Sequence, residues 1–226
     1  MKTGRALTPE ERTITWQATS LLLGYPDDRL LALRPLLRRA AAELPDATGG
    51  PLGRFLDHLD ATPPADLAAD YVATFDHRKR CCLYLTYYAY GDTRERGKAL
   101  LRFKTAYREA GLDLDDGELP DHLSVVLEFA ATADPEAGHR LLTGHRAGLE
   151  LLRLALTEAR SPWSAVLQAV SATLPPLSGD DHEAVRRLAA EGPPEEEVGT
   201  QTYGGPVLLP EPRVRTAAGL SPGARA

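Results

Sequence analysis

Apolar side chains recur along most of this chain at the three- and four-residue spacing of a helix, and proline and glycine interrupt them. The pattern predicts a first helix from about Glu10 to Tyr25, with Ile14, Ala18, Leu21, Leu22 and Tyr25 in one stripe. Gly24-Tyr-Pro-Asp breaks it. A second stripe runs through Leu30, Leu33, Leu37, Ala41 and Leu44, and Pro35 inside it predicts a kink or a fresh start. Thr48-Gly-Gly-Pro reads as a loop. Pro63-Pro64 precedes a helix on which Ala68, Tyr71, Val72 and Phe75 share a face. Residues 83–90 are the least polar stretch and hold four of the eight tyrosines. Such a short run suits a strand or a buried helix, and with no partner strand in view it is predicted as helix.

Asp92 or Thr93 is placed to cap the next helix, which ends before Gly111. An acidic loop, 112–119, follows, and Pro120 is predicted to open a helix carrying Leu123, Val126, Leu127 and Ala130. Asp134-Pro135 starts another, with Leu141, His145, Leu149, Leu152 and Leu156 as one continuous stripe. Ser161-Pro162 repeats that start signal, and Pro175-Pro176 ends the helix it opens. A short helix with a weak apolar face fits Asp180 to Glu191. Beyond it, the 35 residues from Gly192 hold six prolines and six glycines, a composition above the roughly 25–30% typical of disordered segments. The expectation is an all-α protein: one helical-bundle domain over 8–175, then, over 176–226, a Pro/Gly-rich linker, a marginal helix and a flexible C-terminal tail.

Composition agrees with helix, since Leu and Ala carry the apolar content and aromatics are only 6%. The net charge of 26 − 32 = −6 argues against nucleic acid as a partner. No apolar run approaches the roughly 20 residues of a membrane span, and the first residues lack a signal-peptide core. A soluble, cytoplasmic protein with no stable membrane insertion is expected. The adjacent Cys81 and Cys82 are neither a disulfide framework nor a zinc spacing, and packing is their expected role. The six histidines show no ligand spacing, and no nucleophile, phosphate-loop or dinucleotide motif is present, so no catalytic residue, metal or cofactor is assigned.

Polar residues concentrate between 76 and 128. Asp76, the turn Gly91-Asp92-Thr93-Arg94-Glu95-Arg96-Gly97, Glu118, Asp121 and Glu128 surround the tyrosine-rich stretch, and Asp121 and Glu128, seven apart, are expected on one helix face. One reading is a solvated surface of weak ion pairs. The other is an acidic, tyrosine-lined groove for a basic amphipathic peptide.

Tyr71-Val-Ala-Thr-Phe-Asp76, Leu83-Tyr-Leu-Thr-Tyr-Tyr88, the 91–97 turn, Glu118-Leu-Pro-Asp-His-Leu123 and Val126-Leu-Glu-Phe129 resemble NarJ-type chaperones, the delta subunits of respiratory nitrate reductase. Leu22-Leu-Gly-Tyr-Pro26 adds to the likeness, which covers about residues 10–175. The resemblance implies an all-helical chaperone, not an enzyme. It implies a partner, the apo form of the nitrate reductase alpha subunit, bound by its N-terminal peptide. The chaperone would hold that subunit competent for molybdenum cofactor insertion and assembly, and would be absent from the finished complex. A sibling role, on the twin-arginine signal peptide of another molybdenum reductase, is the alternative. Candidate client-binding residues are Tyr71, Asp76, Tyr84, Tyr87, Tyr88, Asp92, Glu118, Asp121 and Glu128. Arg94 and Arg96 are expected to orient the turn or pair with acids.

Overall fold

The computed structural model describes residues 5–114 and 117–192, and the tail expected beyond them lies outside the described residues. Among these residues the chain forms eleven α-helices and one 3₁₀ turn, and no strand longer than a single bridge. Among the described residues no helix is long and apolar enough to cross a membrane.

Helix α1 (Pro9–Leu22) opens with a capping box in which the Thr8 hydroxyl accepts the Glu11 amide and the Glu11 carboxylate accepts the Thr8 amide. It lies in the centre of the bundle, packed on α7 (Leu123–Thr132), α10 (Trp163–Ala172) and α2 (Asp28–Glu43). The indole Nε1 of its Trp16 donates to Thr173 Oγ1 at 2.9 Å, and that of Trp163 donates to the Leu22 carbonyl at 3.1 Å. Both large rings are thereby buried with their one polar atom satisfied.

Helix α2 runs through Pro35 without a restart. Pro35 has no amide to give the Leu31 carbonyl, and the Arg34 Nε takes that acceptor instead at 2.9 Å. The loop expected at Thr48-Gly-Gly-Pro is helical: all four residues lie in α3 (Asp46–Ala61). Gly49 serves close approach, because a Cβ there would stand 2.3 Å from the Ala41 carbonyl oxygen. Helix α3 then packs on α2 and α10, burying Leu52, Phe55, Leu56 and Leu59.

Helix α4 (Pro64–Phe75) leads to the 3₁₀ turn Lys79–Cys81, and the tyrosine-rich stretch is helical only over α5 (Leu85–Tyr90). Leu83 and Tyr84 are extended. The Leu123 amide donates to the Leu83 carbonyl at 2.8 Å, and the Leu85 amide donates to the Asp121 carbonyl at 3.0 Å. The same pairing corrects the start expected at Pro120, since Asp121 and His122 are held by this bridge and α7 begins at Leu123.

Helix α6 (Arg94–Glu109) ends before Gly111, whose φ of +78° suits glycine. Thr93 takes the N-cap position of α6, but its hydroxyl donates backwards to the Tyr90 carbonyl at 2.7 Å. The continuous stripe expected from Leu141 to Leu156 is two helices, α8 (Pro135–Gly144) and α9 (Arg146–Glu158). At the break the His145 Nδ1 donates to the Leu141 carbonyl at 2.8 Å, the acceptor its own amide would use in an unbroken helix. The last helix, α11 (Gly179–Glu191), packs on α9.

Candidate functional site

Helix α5 is six residues long and carries chemistry on both sides. On one side lies a polar knot around Thr86. Its amide and hydroxyl both donate to Asp121 Oδ2, at 3.0 and 2.5 Å. The Asp121 carboxylate thus caps the first turn of α5 from across the fold, with a side chain 0% exposed. Arg96 closes the knot. Its Nε donates to Thr86 Oγ1 at 3.2 Å, its Nη1 to Asp92 Oδ1 at 3.2 Å, and its Nη2 stands 3.9 Å from Asp121 Oδ2.

The guanidinium also lies 5.4 Å from the centre of the Tyr84 ring, which meets His122 edge-on at 5.2 Å. The Tyr84 hydroxyl donates to Glu118 Oε1 at 3.0 Å. Burial, then that bond to a carboxylate, push the phenol up to about 12. Burial likewise holds the His122 imidazole below its ordinary value, against the opposing pull of Glu118 and Asp121.

On the other side of α5 a groove follows α9. Tyr88 is 5% exposed, and its hydroxyl is shared between the carbonyls of Arg80 and Cys82 at 3.1 and 2.9 Å, which ties the 3₁₀ turn to α5. Gly148 makes room for it, since a Cβ there would stand 2.9 Å from the Tyr88 Cβ. Tyr87, Leu151, Leu154 and Ala155 form an apolar wall, with Leu154 42% exposed. Arg78, Lys79 and Arg80 stand at the end of the groove beside Glu158.

The expected constellation is therefore split. Tyr84, Asp92, Arg96, Glu118 and Asp121 meet in the knot, with Asp76 close enough to act on the Tyr71 phenol together with Glu118. Tyr87 and Tyr88 face the groove. Glu128 lies apart, exposed beside Leu112 and Val125, so the helix face expected to unite it with Asp121 does not exist: Asp121 precedes α7 and is buried. Tyr71 is also buried away from the surface expected for it, while Tyr88 lines the groove with its hydroxyl turned inward. The Tyr71 hydroxyl donates to the Leu23 carbonyl at 3.0 Å, and its ring packs on Phe75 and Trp163. Arg94 is exposed at the start of α6 and makes an interaction of its own.

Thr86 and the α9 wall were not singled out from sequence. Thr86 lies within the Leu83–Tyr88 motif, but nothing local marks it off from its neighbours, and Leu151, Leu154 and Ala155 read as ordinary helix. Both cysteines are free thiols, and burial raises both. Among the described residues no three His, Cys, Asp or Glu side chains are grouped to hold a metal ion.

Residues 41–169 match the family model described as nitrate reductase delta subunit. The nitrate reductase-like protein NarX of Mycobacterium tuberculosis is 46% identical over 164 residues, 71% of this chain. The chain spans only 24% of the length of that relative. The probable nitrate reductase molybdenum cofactor assembly chaperone NarJ of Bacillus subtilis is 33% identical over 165 residues, covering 73% of this chain and 90% of that protein. In fold, the chain is similar to a crystal structure described as a redox enzyme maturation protein from Archaeoglobus fulgidus. The TM-score is 0.54 at 22% identity, over 76% of this chain and 96% of that one.

Proposed function

The chain belongs to the nitrate reductase delta subunit family, and from that premise we propose that it is a maturation chaperone for a nitrate reductase. It binds the N-terminal peptide of the apo alpha subunit in the cytoplasm. It holds that subunit competent for molybdenum cofactor insertion and assembly, and then leaves. The observation that carries this reading is α5, which presents an apolar groove on one side and an acidic, tyrosine-bearing patch on the other. An amphipathic helix lays its apolar face in such a groove, and its basic residues meet Asp76, Asp92 and Glu118. Apolar contact then supplies most of the affinity, and the carboxylates speed encounter. Tyr71, Tyr88 and Asp121 act by shaping the site, while Tyr84, Tyr87, Asp76, Asp92 and Glu118 are the residues that touch the client.

The test is calorimetry of the full chain with a synthetic alpha-subunit N-terminal peptide at low and high salt. The expected result is saturable binding that weakens with salt. The variant Asp76→Lys/Glu118→Lys should bind about tenfold more weakly, with most of the loss in the association rate. Absence of binding heat at low salt overturns the reading. Unchanged affinity in the double variant removes the acidic patch from it.

A further inference from the structure

Helix α11 has no buried residue, in contrast to the other ten helices. It is nevertheless well formed locally, with a capping box in which the Ser178 hydroxyl accepts the Asp181 amide and the Asp181 carboxylate accepts the Ser178 amide. Asp181, Ala184, Leu188 and Glu191 fall on one helical face, and all four line a cleft of about 860 Å³ whose opposite wall is Leu85, Tyr88 and the start of α9. Leu188 continues into the second, more apolar cleft with Tyr87, Leu151 and Leu154. The helix therefore lies across the groove without filling it. Unfilled space at an interface forfeits dispersion contacts and leaves the docked state weakly favoured.

Residues 173–178 tether it to α10. Pro175-Pro176 lies in that link, and the Arg146 guanidinium donates from Nε to the Pro175 carbonyl at 3.4 Å and from Nη2 to Ser171 Oγ of α10 at 2.8 Å. Arg146 pairs with Glu150 on its own helix at 3.8 Å, and its charge also attracts Asp181 of α11, so one guanidinium steadies both the link and the docked helix.

The geometry points to α11 as a built-in occupant of the client groove, which a client helix must displace in order to bind. This rests on the client reading above and adds its regulation: the chain protects its own apolar groove until a better-fitting helix arrives. Apparent affinity is then the intrinsic affinity multiplied by the fraction of molecules with α11 undocked.

Two substitutions outside the groove lining shift that fraction in opposite directions. Ser178→Ala removes the cap of α11 and should tighten peptide binding about two- to threefold. Gly179→Ala adds a Cβ that meets nothing within 4 Å and favours helix. It should weaken binding about twofold. Hydrogen exchange on the full chain should show the amides of 180–191 losing protection when the same alpha-subunit peptide is added. Peptide binding with α11 protection unchanged, or with equal affinity in both variants, overturns this inference and leaves the client reading standing. Absence of binding to the parent and to both variants overturns the two together.

Discussion

Replacing Asp121 with alanine is expected to destabilise the fold by about 4 kcal/mol. The carboxylate accepts the amide and the hydroxyl of Thr86, both completely buried, and lies 3.9 Å from the Arg96 guanidinium. A hydrogen bond to a charged acceptor contributes about 1.5–3 kcal/mol, and two are lost. The stranded Thr86 donors have no water to turn to, and Arg96 loses its buried counter-charge. Removing one partner of a buried pair costs about 3–5 kcal/mol in general, which agrees with that sum. At about 2–4 °C per kcal/mol for a chain of this size, Tm should fall by roughly 8–16 °C. Thermal unfolding followed by far-UV circular dichroism reads this directly. Asp121→Asn keeps an acceptor for Thr86 and loses only the charge, so it should fall about halfway. Glu128→Ala, at an exposed carboxylate, should stay within about 0.5 kcal/mol of the parent. A Tm for Asp121→Ala within 2 °C of the parent, on the scale of about 2–4 °C per kcal/mol, would refute the claim that this carboxylate holds α5 to α7.

Two glycine substitutions should separate close approach from flexibility. Gly138→Ala places a Cβ 2.3 Å from the Ala130 Cβ at the crossing of α7 and α8, and should cost about 2–3 kcal/mol in denaturant unfolding. Gly53→Ala, with nothing within 4 Å, should stabilise α3 by about 0.5–1 kcal/mol. Stability should also fall with acid through the buried histidines. Burial holds His145 below its ordinary 6.5, so the unfolded chain takes up a proton that the folded chain refuses. That contribution is complete above pH 6.5 and is lost as pH drops below it. His145→Gln should flatten the decline measured by denaturant midpoints, and His122, shifted in the same direction, should preserve part of it.

The all-α class, most helix positions and the concentration of polar residues around α5 are properties of the amino-acid sequence alone. They are legible because helical periodicity and capping residues act within a few positions of each other. Asp134 caps its helix through contacts two and three residues long, a local pattern that the adjacent Pro135 announces. What the tertiary structure decided involves partners far apart in the chain. Tyr84 is extended because its partner, His122, lies 38 residues away, and no local pattern announces that bridge. Gly49 sits in a helix because α2 passes too close for a side chain, and Pro35 is tolerated because Arg34 takes the carbonyl it leaves. Asp121 and Glu128 carry similar charge in neighbouring motifs, yet one is a buried cap and the other faces solvent. Only three-dimensional packing distinguishes them, because burial depends on what the rest of the chain places around a residue. The groove along α9 and the helix lying across it belong to that second category: each is an ordinary amphipathic segment until the fold sets one over the other.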